Sequence, residues 1–142
     1  MKQLFRFSVM LLALLLPALA TAHDFEVDGI YYNINGNEAT VTYRSYDHPS
    51  YPSPGGYSGS VVIPATVTYN GTTYPVTAIG GGAFSGCSGL TSIDIPNSVI
   101  EIDESALAYC TGLTSIVVES GNPRYDSRNN CNAIIHKITS II

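Results

Sequence analysis

The chain is short of positive charge, of paired cysteines, of long apolar runs and of catalytic motifs, and each shortage argues against a class of function. Six Lys and Arg stand against eleven Asp and Glu in 142 residues. Lys2 and Arg6 sit at the start; the other four, Arg44, Arg124, Arg128 and Lys137, are scattered and form no basic stripe. A phosphate backbone or an anionic membrane surface would be repelled, so nucleic acid is not an expected partner. Three cysteines cannot all pair within one chain, so a disulfide framework is not the organising device.

The main apolar run, from Ser8 to Leu19, is about a dozen residues, short of the ~20 that cross a bilayer. Preceded by Lys2 and Arg6 and followed by Ala20-Thr21-Ala22, it reads as a signal peptide over residues 1–22, cleaved before His23. No cysteine stands near that point to take a lipid. Export is therefore expected, to the medium, the cell surface or the periplasm, with no membrane span in the mature chain. Removing 22 of 142 residues leaves 120, enough for one core, with four basic and eleven acidic residues and a formal charge of −7.

Chemistry is sparse as well. Gly80-Gly81-Gly82-Ala83-Phe84-Ser85-Gly86 fails the dinucleotide fingerprint, because Ser85 stands where a third glycine is needed, and no Lys-Ser or Lys-Thr follows for a phosphate loop. Gly56-Tyr57-Ser58-Gly59-Ser60 and Gly86-Cys87-Ser88-Gly89 miss the nucleophile-elbow spacing. His23, His48 and His136 have no acid and nucleophile at motif distance. Cys131 with His136 is too few ligands for a metal, and Asp126 to Asn132 lacks calcium-loop order. Asn70-Gly71-Thr72 fits a glycosylation acceptor. No catalytic residue, cofactor or metal is expected.

What is present is β-texture and a repeat. Phe25, Val27, Ile30, Tyr32 and Ile34 lead into Asn35-Gly36, with Ala39, Val41 and Tyr43 beyond, a hairpin pattern because both turn residues tolerate positive φ. Asp47 to Gly59 is rich in Pro, Gly, Tyr and Ser and reads as a loop, so residues 23–59 form a cap of hairpins followed by a Tyr-rich loop. A second hairpin is expected at Asn70-Gly71. Val76 to Ser98 then aligns with Val99 to Gly121 at a period of 23, with nine columns identical: Val76/Val99, Ile79/Ile102, Ala83/Ala106, Cys87/Cys110, Gly89/Gly112, Leu90/Leu113, Thr91/Thr114, Ser92/Ser115 and Ile93/Ile116. Self-similarity at such a period marks a solenoid.

Each coil reads as a short strand at Leu90-x-x-Ile93-x-Ile95 and Leu113-x-x-Ile116-x-Val118, a second at Val76-x-x-Ile79 and Val99-x-x-Ile102, and one helical turn at Ala83-Phe84-x-x-Cys87 and Ala106-Leu107-x-x-Cys110. Val61-Val62-Ile63-Pro64 matches Ile93-Asp94-Ile95-Pro96, so a partial coil spans 60–75 with the second hairpin inserted. The strand period of two puts Val61, Ile93, Ile116 and Ile63, Ile95, Val118 inside. It puts Ser60, Ser92, Ser115 and Val62, Asp94, Val117 outside. Cys87 and Cys110 share a column, and their expected role is as small buried apolar residues, since stacked side chains point in parallel. Their redox state, and that of Cys131, is not fixed by the sequence.

These residues resemble the BspA-type leucine-rich repeat, in which Ile-Gly-x-x-Ala-Phe-x-x-Cys-x-x-Leu-x-x-Ile-x-Ile-Pro recurs. Gly121 to Ile135 is similar to a spacer found in such proteins, and the resemblance covers about 59–135. It implies a β-rich solenoid on secreted or surface proteins of bacteria, linked to adhesion to host matrix proteins or to other cells. The second coil departs from the pattern, with Asp103 after Ile102 and Glu119 in place of Pro96, and the coils are few. Residues 122–142 read as spacer and incomplete cap, ending on the apolar Ile138 to Ile142. Either the hairpins and tail cap the coils, or the chain is a truncated member without independent activity.

The expected binding surface for a protein ligand is the outward side of the repeat strands: Ser60, Val62, Ser92, Asp94, Ser115, Val117 and Glu119. The alternative is a carbohydrate-binding or structural domain that uses Tyr43, Tyr46, Tyr51 and Tyr57 around the Pro-rich loop, where large rings bring contact area at low entropy cost. The bland reading of those rings is sheet packing.

Overall fold

A computed structural model describes residues 22–44, 56–128 and 133–137. The expected signal peptide before Ala22, His48, Tyr46, Tyr51, Cys131 and the apolar ending 138–142 lie outside the described residues. Among the described residues eleven strands follow one another: β1 (Phe25–Val27), β2 (Ile30–Asn35), β3 (Glu38–Thr42), β4 (Gly59–Val62), β5 (Thr66–Tyr69), β6 (Thr72–Ile79), β7 (Leu90–Ile95), β8 (Glu101–Ile102), β9 (Ser115–Val118), β10 (Tyr125–Asp126) and β11 (Ile135–His136). One sheet runs β1-β2-β3-β6-β5 with β8 beside β6, a second is β4-β7-β9, and β10 pairs with β11.

Turn chemistry builds the hairpins. Asn70 and Gly71, at φ 49° and 78°, make the two-residue turn between β5 and β6, as the sequence indicated. Between β2 and β3 the turn residues are Gly36 and Asn37, because Asn35 pairs with Glu38; only Gly36 needs positive φ there. A further two-residue turn, at Asp28-Gly29 (φ 51° and 79°), splits what reads as one apolar run into β1 and β2.

The 23-residue period is carried by parallel pairing. Ser92, Ile93, Asp94 and Ile95 of β7 pair with Ser115, Ile116, Val117 and Val118 of β9, and Ala78 and Ile79 of β6 pair with Glu101 and Ile102 of β8. The partial coil enters the same ladder, with Ser60, Val61 and Val62 on Ser92, Ile93 and Asp94. Val61, Ile63, Ile93, Ile95, Ile116 and Val118 are all buried, on the inner side that the alternation gives them. Phe84 and Leu90, fully buried, close the core, and the Tyr57 ring packs 4.5 Å from that of Phe84.

The expected helical turn in each coil is not a helix, and no α-helix occurs among the described residues. Residues 81–86 and 104–109 are successive tight turns, in which Ala83, Ser85 and Cys87 donate to the carbonyls of Gly80, Gly82 and Phe84. Gly82 and Gly86 hold positive φ, which interrupts α-helical propagation. The remaining donors turn sideways: Phe84 and Gly86 donate to Ala108 and Ala106 of the next coil, Gly86 to the former and Phe84 to the latter. Backbone groups that would run along a helix are spent between coils.

The glycine column has a steric cause. A Cβ on Gly112 would sit inside the van der Waals surface of the Ser88 carbonyl oxygen. Gly112→Ala is expected to push the coils apart and lower stability by roughly 1–3 kcal/mol, read as a lower urea midpoint with an unchanged slope.

Candidate functional site

The outward face of β4, β7 and β9 presents side chains in rows about 4.8 Å apart. Ser60 is exposed and Ser92 and Ser115 are half-buried beside it; the Ser92 hydroxyl donates to the Ser60 Oγ at 2.7 Å. The next row is Val62, Asp94 and Val117, with 63% of Val62 and 43% of Val117 exposed, while Asp94 between them is half-buried. These six residues are thus brought onto one surface. Glu119 stands apart from them in role. It is exposed, but its carboxylate accepts the Asn97 N–H at 2.9 Å, so it also pins the turn of the preceding coil where Pro96 stands one repeat earlier.

A cleft of about 390 Å³ flanks this face, between β4 and the β1–β2 turn, lined among others by Asp28, Tyr31, Tyr57, Ser60, Val62 and Pro64. Tyr57 fixes its floor. The Tyr57 hydroxyl donates to the Thr42 carbonyl at 2.7 Å and accepts the Tyr31 N–H at 3.0 Å, tying the start of β4 to both N-terminal hairpin strands. Burial pushes the Tyr57 phenol well above its ordinary range. Tyr32, fully buried, is pushed up to about 12, by burial first and by the Asp28 charge second. Tyr57 is therefore a packing residue with 8% of its surface exposed, and the Tyr-loop reading loses one of its rings.

On the far side of the ladder the spacer does more than end the repeat. Asn122 is fully buried and its amide donates to the carbonyls of Pro96 and Val99, while its Oδ1 accepts the N–H groups of Arg124 and Tyr125. The Tyr125 hydroxyl accepts the Ile102 N–H on β8, and the Ser127 hydroxyl accepts the Val118 N–H on β9. Sequence reasoning stopped the repeat at Gly121 and missed these residues. The signal was available: counting on by 23 puts Asn122 in the column of Val76 and Val99, and Tyr125 in that of Ile79 and Ile102. The local turn is repeated too, since Ser105 N–H donates to the Asp103 carboxylate and Arg128 N–H to that of Asp126. The Ser105 hydroxyl and the Arg128 guanidinium also donate to these carboxylates, and these side-chain bonds first, with the backbone ones after them, hold both carboxyls below their usual range.

Cys87 is buried and Cys110 half-buried; both are free thiols, and the Cys110 Sγ donates to the Phe84 carbonyl. Burial pushes both up, which keeps them protonated and suits packing. The His23 ring lies against Tyr31 and that of His136 against Tyr125. Among the described residues no three His, Cys, Asp or Glu side chains are placed to hold a metal ion. No helix among the described residues is long and apolar enough to cross a membrane.

A family model described as the BspA type leucine rich repeat region (6 copies) matches residues 61–141. Three solved structures are similar. A leucine-rich repeat protein from Bacteroides ovatus is 36% identical over 67% of this chain, with a TM-score of 0.55. A leucine rich cell surface protein from Faecalibacterium prausnitzii is 30% identical over 69%, with a TM-score of 0.53. A leucine-rich repeat protein from Bacteroides capillosus is 34% identical over 67%, with a TM-score of 0.54. The chain spans 23%, 24% and 64% of those three proteins respectively. No curated protein matches.

Two expectations follow from the buried polar groups. Asn122→Ala strands two carbonyls and two N–H groups, each costing roughly 1–3 kcal/mol when buried and unpaired. It should therefore lower the thermal midpoint more than Ser127→Ala, which frees only one exchangeable donor. Tyr32 must stay neutral in the fold but ionises near 10 when unfolded. Its contribution is fully present below pH 10 and is lost between 10 and about 12, at up to about 1.4 kcal/mol per pH unit. Urea titrations at stepped alkaline pH should show that fall, and because Tyr57 is raised in the same direction, Tyr32→Phe should make it shallower without removing it.

Proposed function

The chain belongs to the BspA-type leucine-rich repeat family, and on that premise we propose that it is a secreted or cell-surface binding module that takes a protein ligand on the outward face of β4, β7 and β9. The observation that carries this reading is the Val62–Asp94–Val117 row, in which two large exposed apolar side chains flank a carboxylate on a rigid parallel ladder. Exposed aliphatics at fixed spacing offer many modest contacts, and the central charge sets which partner fits. A ligand with a basic group between two apolar ones matches it. The 23-residue columns support a short solenoid as the scaffold, so that further coils would lengthen the same face.

Export rests on residues 1–22, with Lys2, Arg6, the Ser8 to Leu19 run and Ala20-Thr21-Ala22. One similar protein is a cell surface protein in its own right, which agrees with this location. Adhesion to host matrix or to another cell is the biological form we favour. We assign no catalytic role and no cofactor. The burial of Tyr57 weakens the carbohydrate-binding alternative, and nothing else in the described residues favours it.

The test is binding of the purified protein to a panel of immobilised extracellular-matrix proteins. A double variant, Asp94→Ala with Val117→Ala, should lose about tenfold in affinity for any protein that binds, the scale of one modest interface anchor, and should melt as the parent does. Unchanged affinity would remove the outward face from the function.

A further inference from the structure

Among the described residues the edge of β4 is open, whereas side chains cap an N–H of β8 and one of β9 at the other end of the ladder. Gly59 and Ile63 donate their N–H groups to Gly89 and Asp94 on the β7 side. In a parallel pair alternate residues bond to the same neighbour, so Ser60 and Val62 turn their N–H and C=O groups the other way. β4 ends its sheet, and among the described residues nothing pairs with that edge. At the opposite end of the ladder the Val118 N–H is taken by Ser127, and the Ile102 N–H by Tyr125. An unpaired strand edge is a template for another strand.

The edge does not face open solvent. It faces the 390 Å³ cleft, whose opposite wall is the β1–β2 turn with Val27, Asp28 and Tyr31. That wall decides what can enter. An edge strand of a second copy of this fold brings its own sheet neighbour on the far flank, where the hairpin stands; a single extended chain brings none. The wall also sets the charge, because Asp28 is its ionisable carboxylate and the whole chain is acidic. Side chains alternating along an entering strand would place apolar groups toward Tyr31 and Tyr57 and polar ones toward solvent.

We propose that the β4 edge and its cleft bind an extended, lysine- or arginine-bearing peptide segment of a partner protein as an added strand. Main-chain hydrogen bonds to Ser60 and Val62 give the affinity, and Asp28 selects the basic side chain. This goes beyond the outward-face reading and does not depend on it, since it uses the backbone of β4 and not the side-chain row.

The probe is a blocked hexapeptide of alternating valine and lysine, titrated into the isotopically labelled protein and followed by amide NMR and hydrogen exchange. Expected are shifts at Ser60, Val62 and residues 27–31, and at least tenfold slower exchange of the Ser60 and Val62 amides at saturation. The same peptide with glutamate for lysine should bind at least tenfold more weakly. Val62→Pro removes only an N–H that the sheet does not use and should abolish binding, while Val62→Ala should bind within twofold of the parent. The Asp94→Ala, Val117→Ala variant should bind the peptide normally, which separates this edge from the outward face.

Shifts confined to other residues, or none at millimolar peptide, would overturn the proposal even if Val62→Pro failed to fold. So would Ser60 and Val62 amides already protected in the free protein. Concentration-dependent protection would assign the edge to a second copy, and concentration-independent protection to a segment of the same chain.

Discussion

Parallel backbone pairing between coils, at an offset of 23 residues that only the hairpin inserted in the first coil lengthens, is the constraint on which the rest of this structure depends. It places each residue directly beside its own column in the next coil, as Ile93 lies beside Ile116 and Ile79 beside Ile102. A column must then suit stacking on itself. Aliphatics do, and burying each large one stabilises by about 1.5–3 kcal/mol. Glycine is required where carbonyls of adjacent coils approach, as at Gly112 against Ser88. Hydroxyls pair laterally, as Ser60 and Ser92 do. One interaction therefore fixes core composition, coil spacing and the layout of the outward face together.

Such a ladder propagates as readily as it closes, so its two ends need different solutions. At one end β3 of the hairpin cap pairs with β6, and Tyr57 hydrogen-bonds the hairpins to the first repeat strand. At the other, Asn122, Tyr125 and Ser127 supply side-chain partners for carbonyls and N–H groups that a further coil would have taken through its backbone. Side chains stand in for a missing strand. Their geometry is specific to the groups they satisfy, which is why a buried amide, costly anywhere else in a core, is stable at the end of this one.

The columns were legible in the sequence because periodicity survives substitution: inward and outward residues of β4, β7 and β9 follow from the alternation, and Asn70-Gly71 marks its hairpin. The Asp28-Gly29 turn carries the same kind of signal, Asp-Gly between apolar residues, and is overlooked when Val27 and Ile30 on its flanks are read as one continuous strand. The helical turn failed for another reason. Ala83, Phe84 and Cys87 have helical spacing, but spacing does not say where N–H groups go, and here Phe84 and Gly86 send theirs across to the next coil. Tyr57 was legible as part of a Tyr-rich loop and illegible as a buried link, because its partners, Thr42 and Tyr31, are remote in sequence.

Departures from the repeat are then more informative than agreements with it. Where Pro96 becomes Glu119, the new carboxylate accepts a backbone N–H from the preceding coil. Where Val99 becomes Asn122, an apolar column becomes a cap. The third departure replaces Gly86 by Tyr109, and it runs against local energetics. Both residues hold positive φ, 72° and 59°, so the turn imposes the conformation whatever side chain occupies it. A left-handed backbone costs a non-glycine residue about 1–2 kcal/mol, and burial does not offset it, since 76% of Tyr109 is exposed. The strain is carried because the flanking coil holds the turn on both sides, with Ala108 accepting from Gly86 and Cys110 donating to Phe84. A stacked ladder can thus keep a side chain at a place its own local conformation disfavours, and that capacity lets a two-coil repeat vary its surface without changing its frame.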